Sequence, residues 1–77
     1  MVVHNLMSLD ERKKLGMAIR KIRLERGVTQ VELCKNIKGM SAKYFSDVER
    51  GERNISFDNI CKIAKGLEVK VASLFSY

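Results

Sequence analysis

An all-α domain of five short helices is what this sequence predicts, and three observations carry the prediction. Caps of the Ser/Thr-x-x-Glu type recur, Ser8 with Glu11 and Thr29 with Glu32, the spacing at which each side chain covers a backbone N–H at a helix start. Apolar residues fall three and four apart behind those caps, the period of one helix face. Glycines at 27, 39, 51 and 66 punctuate the runs where a helix would end or turn.

Residues 1–7 precede the first cap and read as a loose N-terminal segment, with residues 8–77 as a single domain. His4 stands alone in that segment, with no second ligand type at helical spacing, so it is not a metal or catalytic candidate. Ser8 opens the first helix. Asp10 sits in its first turn, where negative charge suits the dipole, and Leu15, Ala18, Ile19 and Ile22 make its buried stripe. Arg26 suits the last turn, and Gly27 ends the helix. Most of its other basic residues (Arg12, Lys13, Lys14, Arg20, Lys21) read as a solvated face.

The second helix starts at Gln30 and buries Leu33, Cys34 and Ile37 until Gly39 breaks the run. Ser41 caps the third, over residues 42–50. Phe45 and Val48 are its apolar side, and Ala42, Lys43, Tyr44, Ser46, Asp47 and Arg50 its solvent side. Gly51 follows as a residue free to be left-handed. After a connector at 52–55, Ser56 caps the fourth helix. It runs from 57 to 65, carries Phe57, Ile60, Cys61, Ile63 and Ala64, and ends at Gly66. A fifth helix over 71–76 has Lys70 in place of the usual Ser or Thr cap and so starts weakly. The apolar stripe of the fourth helix continues into Leu67, Val69, Val71, Leu74 and Phe75, wider than a small core needs. Ile63, Val71 and Phe75 therefore read as a two-fold contact between copies.

Two helices joined by a Gly-containing turn, the second with small polar and basic residues near its start, form the outline of a helix-turn-helix over residues 29–51. With it, the segment RLERGVTQVEL…YFSDVERGERNIS resembles the DNA-binding domain of the Xre/Cro/phage-repressor family, and within it most resembles the small controller proteins of restriction–modification systems. The resemblance covers residues 9–75. Its specific pieces are Gly27-Val28-Thr29-Gln30, Glu49-Arg50-Gly51 and Arg53-Asn54-Ile55-Ser56.

This resemblance implies a compact five-helix, lambda-repressor-like domain that reads double-stranded DNA with its third helix in the major groove. Ser41, Ala42, Lys43, Tyr44, Ser46 and Asp47 match the base-reading positions. Lys43 suits a guanine edge and Ala42 a thymine methyl group. Gln30, Arg50, Arg53 and Asn54 match phosphate contacts. Arg23 and Glu49 match a partly buried ion pair that locks the first helix to the third. Controller-type relatives dimerise through the C-terminal end, which implies a palindromic operator with half-sites about 34 Å apart. RNA polymerase is a further partner that surface acidic residues could touch, of which Asp47, Glu49 and Glu52 are no sign in themselves. One departure concerns the turn: between Leu33 and Gly51 there is one residue more than the family spacing, and it falls within 36–40.

Composition bounds the rest. Fifteen Lys+Arg against nine Asp+Glu give a formal charge of +6, which favours a polyanionic partner. The two cysteines form no C-x-x-C and no His/Cys cluster, so neither a disulfide framework, a zinc site nor a cofactor is expected; they read as reduced core residues of a cytoplasmic protein. No apolar run reaches the ~18 residues of a membrane span, and MVVHNLMS lacks the charged start and long apolar stretch of a signal peptide. Metal-ligand spacing, Gly-rich phosphate loops and His/Cys or His/Ser arrangements are missing, which argues against an enzyme. A transcriptional regulator is the leading reading. The alternative is an antitoxin-type module whose main partner is a protein toxin, and the scarcity of chain outside the helical unit argues against it.

Overall fold

A computed structural model of the chain describes residues 7–77; the expectation of a loose N-terminus, and His4 with it, lies outside these residues except at Met7. Met7 is tied down, its N–H donating to Asn54 Oδ1 at 3.0 Å and its side chain resting on the core. Four α-helices follow: α1 (Leu9–Glu25), α2 (Gln30–Lys35), α3 (Ala42–Glu49) and α4 (Phe57–Leu67), then a 3₁₀ turn at Val71–Phe75.

Each α-helix begins where a side chain covers one of the free N–H groups of its first turn, that of its third residue. Ser8, Thr29, Ser41 and Ser56 accept from Glu11, Glu32, Tyr44 and Asn59 in turn, and the first two caps are reciprocal boxes with the glutamate returning to the cap N–H. Those returned bonds hold the Glu11 and Glu32 carboxyls below the ordinary glutamate value, with the Ser8 and Thr29 backbone N–H groups as the main cause. A group whose pKa falls on folding contributes stability that is complete above its unfolded value and lost as pH drops through its folded one. The melting temperature is therefore expected to fall as pH is lowered below 4.5. A Glu11→Gln/Glu32→Gln variant, which keeps the caps without the titration, should show a shallower fall when melted between about pH 7 and pH 3.

The helix ends also share one device. Val28 N–H bonds to Arg23 O, Glu52 N–H to Asp47 O and Val69 N–H to Ala64 O, the six-to-one bond that closes a helix around a left-handed residue. At α1 and α3 that residue is glycine, as expected. At α4 it is Glu68, with φ 60. Gly66 is thus not the stop that the sequence suggested but an interior residue of α4. A Cβ there would lie 3.2 Å from the side chains of Ile37 and Leu33, so the glycine serves close packing of α4 on α2 and the following turn.

Phe45, Leu15, Ile19, Ile63, Leu67 and Leu74 are the largest fully buried side chains, and with Leu33 of α2 beside them all four helices and the 3₁₀ turn meet in one core. The expectation of five helices is corrected to four. Lys70 makes no side-chain cap bond, and the last segment tightens into a 3₁₀ turn that Leu74 pins to the core. Phe57, read as part of the wide apolar stripe of the fourth helix, is 65% exposed. The extra residue of the central turn does not lengthen α2, which stops after six residues. It is taken up between Asn36 and Met40, where Gly39 has φ 78 and Ile37 and Met40 plug back into the core.

Candidate nucleic-acid interface

Glu49, near the end of α3, organises the inner side of the motif. Its side chain is 2% exposed, and its carboxylate accepts from Arg23 Nε at 2.7 Å and Arg23 Nη2 at 3.2 Å. Arg23 Nη1 donates to Val28 O at 2.9 Å, so one guanidinium joins α1, the α1–α2 turn and α3. Gln30, the first residue of α2, adds a third donor to Glu49 at 2.8 Å through Nε2, and Arg20 approaches to 3.8 Å. Each charge is met by hydrogen bonds, the condition under which a buried ion pair can offset its desolvation penalty. Part of the Gln30 amide is committed inward, leaving it one N–H and its carbonyl for an outside ligand.

The outer side of α3 carries a second cluster. Asp47, expected on the solvent side, is 5% exposed. Lys43 Nζ, one helical turn before it, lies 3.0 Å from both carboxylate oxygens; Arg50 Nη2, one turn after it, also bonds to it; Arg53 Nε stands at 3.5 Å. Hydrogen bonding from Lys43 is the main cause that holds the Asp47 carboxyl below its ordinary value, with the charges of Lys43 and Arg50 and a bond from Arg53 adding to it against burial. The three cations are themselves open to solvent, with side-chain exposures of 78% for Lys43, 50% for Arg50 and 53% for Arg53. Arg50 also pairs with Glu52, the main cause that raises its guanidinium pKa. The Arg53 guanidinium lies 5.4 Å from the centre of the Tyr44 ring, and Tyr44 Oη accepts from Asn59 Nδ2 of α4 at 3.2 Å.

These contacts sort the expected site residues. Lys43, Arg50 and Arg53 are brought together around Asp47, and Tyr44 joins them through Arg53. Ala42 and Ser46 are half-buried on the same helix, Ser46 Oγ accepting from Arg50. Ser41 Oγ accepts from Tyr44 N–H as the α3 cap, which leaves its O–H and one lone pair. Asn54 Oδ1 is used by Met7, which leaves its NH₂. Asp47 is corrected from a base-reading residue to a saturated anion: with its oxygens taken by three cations it has no lone pair directed at a cytosine amine. Ile63 is corrected as well. It is 0% exposed inside one copy and has no surface to offer a second. Val71 is half-buried against the core and Phe75 is 39% exposed, its ring 6.4 Å from that of Tyr77. Of the three acidic residues considered for a protein partner, Asp47 and Glu49 are buried and paired, and Glu52 alone is exposed.

The Asp47 cluster was open to detection in the sequence, since Lys43, Asp47 and Arg50 stand four and three apart, the spacings at which helix side chains meet. No local signal pointed to the Gln30–Glu49 bond. Cys34 is buried, which raises its thiol pKa, the Glu49 charge adding to the effect. Among the described residues no group of three His, Cys, Asp or Glu side chains is placed to hold a metal ion, and no helix is long and apolar enough to cross a membrane.

A helix-turn-helix family model matches residues 19–74. The control protein C.BamHI of Bacillus amyloliquefaciens is 37% identical over 71 residues, covering 92% of this chain and 88% of that protein. The solved restriction–modification controller protein C.AhdI from Aeromonas hydrophila superposes with a TM-score of 0.81 at 35% identity, over 86% of this chain and 98% of its own. A second controller, C.Esp1396I, solved as a tetramer in complex with its natural 35 base-pair operator, matches with a TM-score of 0.75 at 38% identity, over 83% of each chain.

Proposed function

Because the chain belongs to the helix-turn-helix family, we propose that it is a sequence-specific regulator of transcription that binds double-stranded DNA, α3 lying in the major groove. One observation carries this reading: the outer side of α3 and the loop after it present Lys43, Arg50 and Arg53 to solvent from fixed positions. Lys43, in the first turn of α3, is the base-reading candidate, with Ala42 and Tyr44 beside it. Arg50, Arg53, the free NH₂ of Asn54 and the remaining N–H of Gln30 suit the phosphates that set the register. A solved relative bound to its operator supports the same reading.

We further read the protein as a homodimer on a palindromic site, with Val71 and Phe75 at the contact and Ile63 no longer part of it. Tyr77 and Met17, 57% and 68% exposed, leave further apolar surface for such a contact.

Selection of bound sites from random duplexes tests these statements together, reporting sequence preference, palindromy and half-site spacing. Titration of the selected duplex across salt should then give a slope of log K against log salt of about −5 to −7, for roughly five to eight phosphates per dimer. A slope near zero removes the reading. Lys43→Ala should relax preference at particular base pairs, at about 1–3 kcal/mol per affected position, whereas Arg53→Ala should weaken all duplexes alike.

A further inference from the structure

We propose that Asp47 is a specificity-determining positioning residue, an internal anion that occupies the place of a DNA phosphate among Lys43, Arg50 and Arg53. The inference rests on the DNA-binding reading above and adds to it how that surface rejects the wrong sequence.

A carboxylate on the outer side of a DNA-facing helix is unfavourable if it meets phosphate. Here it is shielded. Its side chain is 8% exposed, while the three cations that converge on it are each half or more exposed. Each cation therefore turns one donor inward to Asp47 and keeps the rest of its surface toward solvent. Arg53 is held twice, by Asp47 and by the Tyr44 ring, which Asn59 fixes from α4.

Two consequences follow for DNA. Binding to any duplex scales with the positive charge available to displace counterions. Three cations opposed by Asp47 and Glu52 present a net single charge, so Asp47 weakens attachment to DNA at large. Base reading requires donors held in one geometry, and long cationic side chains lose rotamer freedom when they are fixed. Asp47 fixes them before DNA arrives, so the selected sequence is met by an ordered surface. Charge screening and ordering thus both widen the gap between the right and wrong sequences.

The test compares Asp47→Asn and Asp47→Glu with the unsubstituted protein on two duplexes of equal length, the selected site and a scrambled one. All are measured at a temperature where melting curves show each variant folded. Asp47→Asn should bind the scrambled duplex about 3–10-fold more tightly, with a salt slope steeper by about 1, and the selected site with less than about a 3-fold change. Asp47→Glu, which keeps the charge, should return the scrambled-duplex affinity and slope toward those of the unsubstituted protein. A selected-to-scrambled ratio unchanged in Asp47→Asn, or both duplexes weakened in step, overturns the proposal and leaves Asp47 a structural residue. If the unsubstituted protein shows no salt-dependent binding to either duplex, the failure is that of the DNA-binding reading itself.

Discussion

Replacing Arg23 by alanine is expected to destabilise the folded chain by about 3–5 kcal/mol, the cost of leaving a buried charge without its partner. Glu49, 2% exposed at its side chain, would keep only the Gln30 amide and a distant Arg20. At about 0.05–0.15 kcal/mol per residue, a chain of 77 residues has roughly 4–12 kcal/mol in total, so the variant should lose much of its folded population at 25 °C. Glu49→Ala should behave similarly, stranding the Arg23 guanidinium. An Arg23→Leu/Glu49→Leu double variant should be clearly more stable than either alanine variant, because no orphan charge remains. Urea unfolding of the three proteins checks this. Equal stability of the single and double variants would show that the packing of the Arg23 stem, not its charge, holds α1 to α3.

The second large effect reverses the usual sign of a substitution. In an exposed helix interior, glycine to alanine stabilises by about 1 kcal/mol. Gly16 lies inside α1, but a Cβ there would stand 2.4 Å from Glu49 O and 2.6 Å from Val48 O. Both atoms are backbone of α3, so the clash cannot be relieved by turning a side chain; α1 and α3 must separate. Gly16→Ala is expected to cost about 3 kcal/mol, the upper end for overpacking a tight core. It should also weaken DNA binding beyond what lost stability explains, because α3 moves with its cations. Thermal melts with titrations made well below the melting temperature separate the two effects. A melting temperature equal to or above that of the unsubstituted protein would show that the contact yields more easily than its geometry implies.

Helix starts and helix ends differed in how far they could be foreseen. Ser8, Thr29, Ser41 and Ser56 all cap the helices expected of them, because a cap is decided by residues three apart. Gly66 misled, because a glycine in a sequence carries two meanings, a left-handed stop or room for a neighbour, and only the neighbour distinguishes them. The same ambiguity hid Gly16. Asp47 and Ile63 were misplaced for a related reason: helical periodicity assigns a residue to a face, but not the depth at which that face ends up.

By itself, then, the sequence determined the all-α class, the four cap positions, the net positive charge and the helix-turn-helix outline, each a matter of local spacing or composition. Tertiary structure alone decided which glycines are packing sites, that Leu74 pins the last segment to the core, that Ile63 is spent inside one copy, and how deeply Asp47 and Glu49 are buried. Those outcomes depend on the distances between segments far apart in the chain, which neither period nor propensity encodes.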